Sequence, residues 1–440
     1  MNGFLYRIQT YRYPIFLFFL VCLVVFFQTK GLLVLHRDGT HFFIKLLEKG
    51  SPVSYDRARR FALLITHSPV SLAMLMGVTS LKYLAYLFSF SYAMIPLIPL
   101  IYNVLFKSTN KTPQTIAWLF FCYNSLFSAY YLISESITAT AVMLIMISYL
   151  LKPIDERKKI ETVLFIVCCF LSSKLYPSVL FYIPFFIFLL LKEQKTQKTK
   201  DYLGVVAISL LSLSFIYTLY WLINYPYQTV ESSAILDIYN LFINPNYLIN
   251  HFVFVLPILT LFFDFKKDEK RNILIFSLMI IIGIIWFMYT QDSKDSPWDH
   301  YRFRIINTTL PLLISIILWQ KNKTIFSPAL VWLLAITVSA QINFSRQHLL
   351  FLGYLENICS NEKGLNYVNL SGNIKDFERD AFHLPGLSLL ACAINGKTVH
   401  ALVLSKDKNA YQLFDPLKLD TYPNLERFGA EINVSPFINE

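Results

Sequence analysis

Charge is scarce in this 440-residue chain: only 15% of its residues are Asp, Glu, Lys or Arg, against roughly 25% in an ordinary soluble domain. With 55% hydrophobic and 16% aromatic residues and a mean hydropathy of +0.49, that deficit excludes a soluble globular protein. The local signatures of common soluble enzymes are missing as well. There is no Walker A loop, no GxGxxG, no CxxC pair and no HExxH, which argues against ATP-driven transport by this chain alone. Acids are the scarcer sign, 28 against 39 Lys and Arg, leaving a net charge of +11.

What is present is a succession of apolar runs. Runs of about 15 to 27 residues bounded by charges or Pro/Asn turns predict spans at 12–32, 80–106, 114–133, 136–152, 160–174, 177–191, 203–223, 248–264, 272–290, 305–320 and 325–343. The first is too long for a signal-peptide core and no small-residue cleavage site follows it, so it is expected to be retained. Lys and Arg then sort by side. The loops carrying Arg7 and Arg12, Lys107 and Lys111, Lys152 to Lys159, Lys192 to Lys200, Lys266 to Arg271, and Lys321 and Lys323 all fall on one face of an eleven-span arrangement, as the positive-inside rule requires. The basic excess is therefore topology and calls for no nucleic acid partner. The expected fold is an all-α polytopic membrane bundle, N-terminus in and C-terminus out, in a bacterial inner (plasma) membrane. Residues 1–343 form the transmembrane domain and 344–440 a small extracytoplasmic, periplasmic α/β domain. The parity depends on SSKLYPS dividing residues 160–191 into two spans.

The external loops hold the candidate chemistry. HRDGTHFF follows the first span, and its Asp38, beside Arg37, is a carboxylate placed to accept a proton or hold a metal ion; a plain helix-end Asp is the competing reading. Two amphipathic segments follow, THFFIKLLEKG and DRARRFALLITHSPVSLAMLMGV, expected to lie in the interface, with Arg57, Arg59 and Arg60 toward headgroups. They either seal the bundle or cradle a lipid phosphate. Glu135, in SES between two spans, is a second acid near membrane depth, with turn capping as the alternative. Lys174 and Tyr176 stand in SSKLYPS. QDSKDSPWDHYRFRI brings His300, Arg302 and Arg304 to the same side, against the positive-inside pattern, either as phosphate ligands or salt-bridged to Asp295 and Asp299.

In the tail, QHLLFLGYLENI predicts a short helix, NYVNLS and TVHALVLS strands, and LPGLSLLACAI either a helix or a buried strand. Cys22, Cys122, Cys168 and Cys169 fall in spans as apolar fillers. Cys359 and Cys392 are the two in the tail, and an oxidising compartment makes a disulfide between them the expectation.

An N-in bundle, a carboxylate directly after span one, amphipathic helices in a long first loop, the acid Glu135 between spans three and four and an external C-terminal domain together resemble the GT-C superfamily of integral-membrane glycosyltransferases. The resemblance is architectural, over residues 1–343, with Asp38 and Glu135 as its matching positions. It implies transfer of a sugar from a polyprenyl-phosphate lipid donor, with Asp38 as base or metal ligand. Glu135 would orient the acceptor, and Arg37, Arg57, Arg60, Lys174, His300, Arg302 and Arg304 would attend the lipid phosphate. The chain has a single Asp preceded by Arg where the family commonly has an acidic pair, so use of a divalent cation stays open. The first loop also resembles the DG-x-(Y/H)-F start of uncharacterised bacterial polytopic membrane proteins, which implies no activity. Two other classes compete. A transporter or flippase of a lipid-linked or anionic substrate would favour mid-span charges and an internal repeat, which the sequence does not offer. A non-catalytic membrane assembly protein would use the tail as its partner site.

Overall fold

The computed structural model describes residues 2–35, 38–52, 59–127, 135–196, 202–224, 278, 281, 299–318, 327–362, 364–368 and 384–405. The described chain is mostly helical. Its long helices are α1 (Asn2–Lys30), α2 (Asp38–Lys49), α3 (Arg60–Leu75), α4 (Leu81–Met94), α5 (Ile98–Leu105), α6 (Thr112–Phe127), α7 (Glu135–Leu150), α8 (Lys159–Leu171), α9 (Ile183–Thr196), α10 (Tyr202–Asn224), α11 (Asp299–Leu318), α12 (Ser327–Asn361) and α13 (Leu384–Ala393). Among the described residues four stretches are long and apolar enough to cross a membrane: Leu81–Leu105, Pro177–Lys195, Tyr202–Trp221 and Ala329–Asn361. The helix α10 also leaves Leu213, Ile216 and Ile223 exposed, a face suited to hydrocarbon rather than water. The expected spans 248–264 and 272–290 lie outside the described residues, apart from positions 278 and 281.

The helix α7 is the axis of the bundle, and every one of its residues is buried. A helix apolar all round packs on all sides, and the larger of two cores surrounds it with residues of α1, α5, α6, α8, α9, α11 and α12. Pro96 and Pro99 take two N–H donors out of the α4–α5 run, and the chain answers with a 3₁₀ turn at Ile95–Leu97 rather than a break. At SSKLYPS the apolar run is divided by short 3₁₀ turns, Ser172–Lys174 and Pro177–Phe181. There the chain reverses. Arg157, before α8, donates to Glu193 near the end of α9 at 3.0 Å, so the two helices form an antiparallel hairpin.

A second core lies beside the end of the bundle that carries Glu135. It joins α2, α3, α4, the second half of α12 and α13. Two expectations change here, and one open alternative is decided. The helix α2 does not offer its apolar face to lipid: Phe43, Ile44, Leu46 and Leu47 are all fully enclosed by protein, so this amphipathic segment seals the second core. QHLLFLGYLENI is not a separate helix either. Nothing between Asn343 and Asn361 terminates α12, because a fall in hydropathy removes no hydrogen bond, and the helix runs on for 35 residues. LPGLSLLACAI is helical, as α13. Two short strands, β1 (Gly364–Val368) and β2 (Ala401–Ser405), pair in parallel with Gly364 opposite Ala401. Cys359 of α12 and Cys392 of α13 are bonded to each other across 6.4 Å between Cα atoms.

The seam between α1 and α12 fixes how the two cores meet. Gln341, Ser345 and His348 follow at i, i+4 and i+7 on one face of α12. Gln341 donates to the Ser125 carbonyl of α6, and His348 Nδ1 lies 2.7 Å from the Gly31 carbonyl. Ser345 packs directly on Gly31, where an added Cβ would come within 2.8 Å of the serine Cβ and 2.9 Å of its Cα. Small and polar residues at such a crossing let membrane helices approach closely and hold their register.

Candidate functional site

Glu135 opens α7, and its side chain is 6% exposed. The last residue before α3, Arg59, reaches it: a guanidinium nitrogen lies 3.8 Å from the carboxylate. That separation is an ion pair rather than a tight hydrogen bond. Both the guanidinium and the partial positive charge at the start of α7 are complementary to the carboxylate. The guanidinium also lies over the Tyr176 ring, 5.0 Å from its centre, a stacking that planar Arg makes better than Lys. Lys174 completes the arrangement, its ammonium 5.9 Å from the Phe61 ring and 5.8 Å from the Tyr217 ring. One carboxylate, two cations and three aromatic rings from α3, α7, α10 and the SSKLYPS turn thus meet at one end of the bundle.

His67 links this cluster to the helix that starts at Asp38. It is fully buried on α3, 5.8 Å from the Phe42 ring of α2 and 5.7 Å from Phe88 of α4. Its Nε2 sits 3.2 Å from the Tyr92 hydroxyl, which also receives a hydrogen bond from Thr66. Burial pulls the imidazole pKa down to about 4, against the opposing pull of the Glu135 carboxylate. The ring is therefore neutral at physiological pH.

Of the residues singled out by sequence, Glu135 and Lys174 both belong to this cluster, Glu135 through Arg59 and Lys174 through the Phe61 and Tyr217 rings. Arg60 does not: it is exposed, and Arg59 takes the inward place. Three arginines in four positions look alike in sequence, and only the register at which α3 begins selects between them. Arg37 and Arg57 lie outside the described residues. Asp38 is the first residue of α2, and His300, Arg302 and Arg304 belong to the first turns of α11; their side chains lie outside what is described. Further along α11, Thr308 bonds Ser178 at 3.1 Å and Thr140 at 3.4 Å.

Among the described residues no group of three or more His, Cys, Asp or Glu converges to hold a metal ion. The Glu135 carboxylate faces a guanidinium, a poor setting for a second cation. At the opposite end of α7, Lys152 and Glu161 form a buried ion pair; in sequence Lys152 belongs to a basic loop and Glu161 to the expected span 160–174. No protein-family model, curated protein or solved structure matches the chain.

Proposed function

We propose that the chain is an integral-membrane glycosyltransferase of GT-C type, moving a sugar from a polyprenyl-phosphate lipid donor to an acceptor on the extracytoplasmic face. The observation that carries the reading is the buried Glu135 carboxylate held by Arg59, whose guanidinium stacks on Tyr176, with the Lys174 ammonium over the neighbouring Phe61 ring. A carboxylate orients an acceptor hydroxyl, and neighbouring cations offset the charge that grows on a leaving lipid phosphate. Asp38 opens a helix whose Phe42 packs on His67, and His67 in turn feels the Glu135 charge.

The topology proposed with this function has eleven spans, N-terminus in and the tail out as a small α/β domain. The α8–α9 hairpin supports that parity, because a single kinked helix would send Arg157 and Glu193 to opposite ends. In this arrangement α11 begins outside. Thr308 is level with Thr140, five residues into α7, and Arg304 stands four residues before Thr308, about 6 Å back along the helix. Arg304 and His300 then approach the depth of Glu135.

Membrane vesicles carrying the full chain, supplied with radiolabelled polyprenyl-phosphate sugars, test the assignment. Label should leave the lipid fraction for an acceptor on the extracytoplasmic side, and vesicles lacking the chain should retain it. Label that crosses the bilayer while still on its lipid would replace the transferase with a flippase.

A further inference from the structure

A groove of about 820 Å³ runs along the bundle between α1 and the α4–α5 run. Phe18, Cys22, Phe26 and Thr29 form one wall, Phe90 and Val104 the other. The walls are open to the side, with Phe18 69% and Val104 58% exposed. From Leu17 to Thr29, both on its lining, α1 rises about 18 Å, slightly more than the ~15 Å depth of one hydrocarbon leaflet.

Two cations lie beyond the Thr29 and Phe90 end of this groove, neither of them on its lining. Lys30 is exposed, one turn beyond Phe26, with its ammonium 5.6 Å from that ring. Lys82 is exposed in the first turn of α4, followed by the exposed ring of Tyr83. The hydrogen bond from Ser89 to the Gln28 carbonyl, 3.1 Å, sets the register of the two helices. Counted from that bond toward the end bearing Glu135, Lys30 lies about 3 Å and Lys82 about 10 Å further along its helix. Their flexible stems let both ammonium groups reach one headgroup. In the topology proposed above both lysines face outward, against the usual distribution of basic residues.

We propose that this groove binds an anionic diacyl phospholipid, one chain lying along α1 and the α4–α5 run and the phosphate held between Lys30 and Lys82. The site is separate from the Glu135 cluster and does not depend on the transferase reading. A neutral chain alone would explain the apolar walls. The paired cations beyond one end select a negative headgroup.

The test uses the full chain in lipid nanodiscs containing either phosphatidylglycerol or phosphatidylcholine with a diazirine in the acyl chain. After illumination, peptide mass spectrometry should place phosphatidylglycerol adducts on Phe26, Phe90 and Val104, well above those from phosphatidylcholine. Lys30→Gln with Lys82→Gln should lower the phosphatidylglycerol adducts roughly tenfold or more, since each lysine near the surface is worth about 1 kcal/mol toward anionic lipid. Cys22→Phe, which fills the groove, should lower adducts from both lipids. Equal labelling by the two lipids, or adducts spread as heavily over Leu213 and Ile216 of α10, would overturn the site. So would displacement by a polyprenyl phosphate where unlabelled phosphatidylglycerol fails, which would give the groove to that lipid.

Discussion

Removing Lys152 should cost more than removing Lys152 and Glu161 together. The pair sits at the end of α7 opposite Glu135, with the two side chains 2% and 0% exposed. The ammonium reaches the two carboxylate oxygens at 3.0 and 2.9 Å. Tyr102 donates to the same carboxylate at 3.1 Å, and the Lys158 backbone N–H at 2.9 Å. In Lys152→Met the anion stays buried without its counter-ion, which costs about 3–5 kcal/mol. The double variant Lys152→Met, Glu161→Met removes both charges and leaves the Tyr102 hydroxyl and the Lys158 N–H without their acceptor and the Phe106 carbonyl without the Lys152 donor, a cost of roughly 1–3 kcal/mol. A double-mutant cycle measured by unfolding in mixed micelles reads the coupling directly. Costs that simply add, or a Lys152→Met variant as stable as the parent, would refute the claim that this pair clasps α5, α7 and α8.

Gly31→Ala should destabilise the α1–α12 seam by about 1–3 kcal/mol, and Ser345→Gly should restore it only in part, because the Cα of residue 345 lies 2.9 Å from the new Cβ; an unchanged melting temperature would contradict the close approach. His67 sets a pH dependence. Its folded pKa of about 4 lies below the ordinary ~6.5 of an unfolded histidine, so the unfolded chain takes up the proton first. Stability should thus fall as pH drops from ~6.5 toward ~4, by about 3 kcal/mol in all, and His67→Phe should flatten that limb. Cys392→Ser should loosen the tail: the bond closes a 33-residue separation, worth about 3–4 kcal/mol of loop entropy, and hydrogen exchange in α13 should rise while α7 stays protected.

The parts of this structure that sequence made legible are those written in local chemistry. Ser172, Ser173 and Pro177 mark the reversal between α8 and α9, and Glu135 stands out as an acid between apolar runs. What stayed hidden depends on distance in space. Nothing local says that Arg59 rather than Arg57 or Arg60 turns inward, or that Lys152 and Glu161, nine residues apart, close on each other around the Pro153 turn. The apolar stripe of α2 is legible as amphipathic, yet the same pattern serves a lipid surface or a protein core; α13 and the second half of α12 decide for protein. The continuity of α12 is masked by the polarity after Asn343, which resembles an ending without breaking the helix. Its polar residues Gln341, Ser345 and His348 recur at helical spacing, and that periodicity was the available signal.

In the proposed reaction Glu135 and Asp38 act on a lipid-linked sugar. Its most direct test is the rate of sugar transfer in vesicles by Asp38→Asn and Glu135→Gln, each shown by its melting curve to be folded. Both variants should lose transfer by about 100-fold or more, the range expected for a positioned acid–base group. Full transfer by folded Asp38→Asn and Glu135→Gln would contradict it, leaving the Arg59–Glu135 pair as a structural clasp.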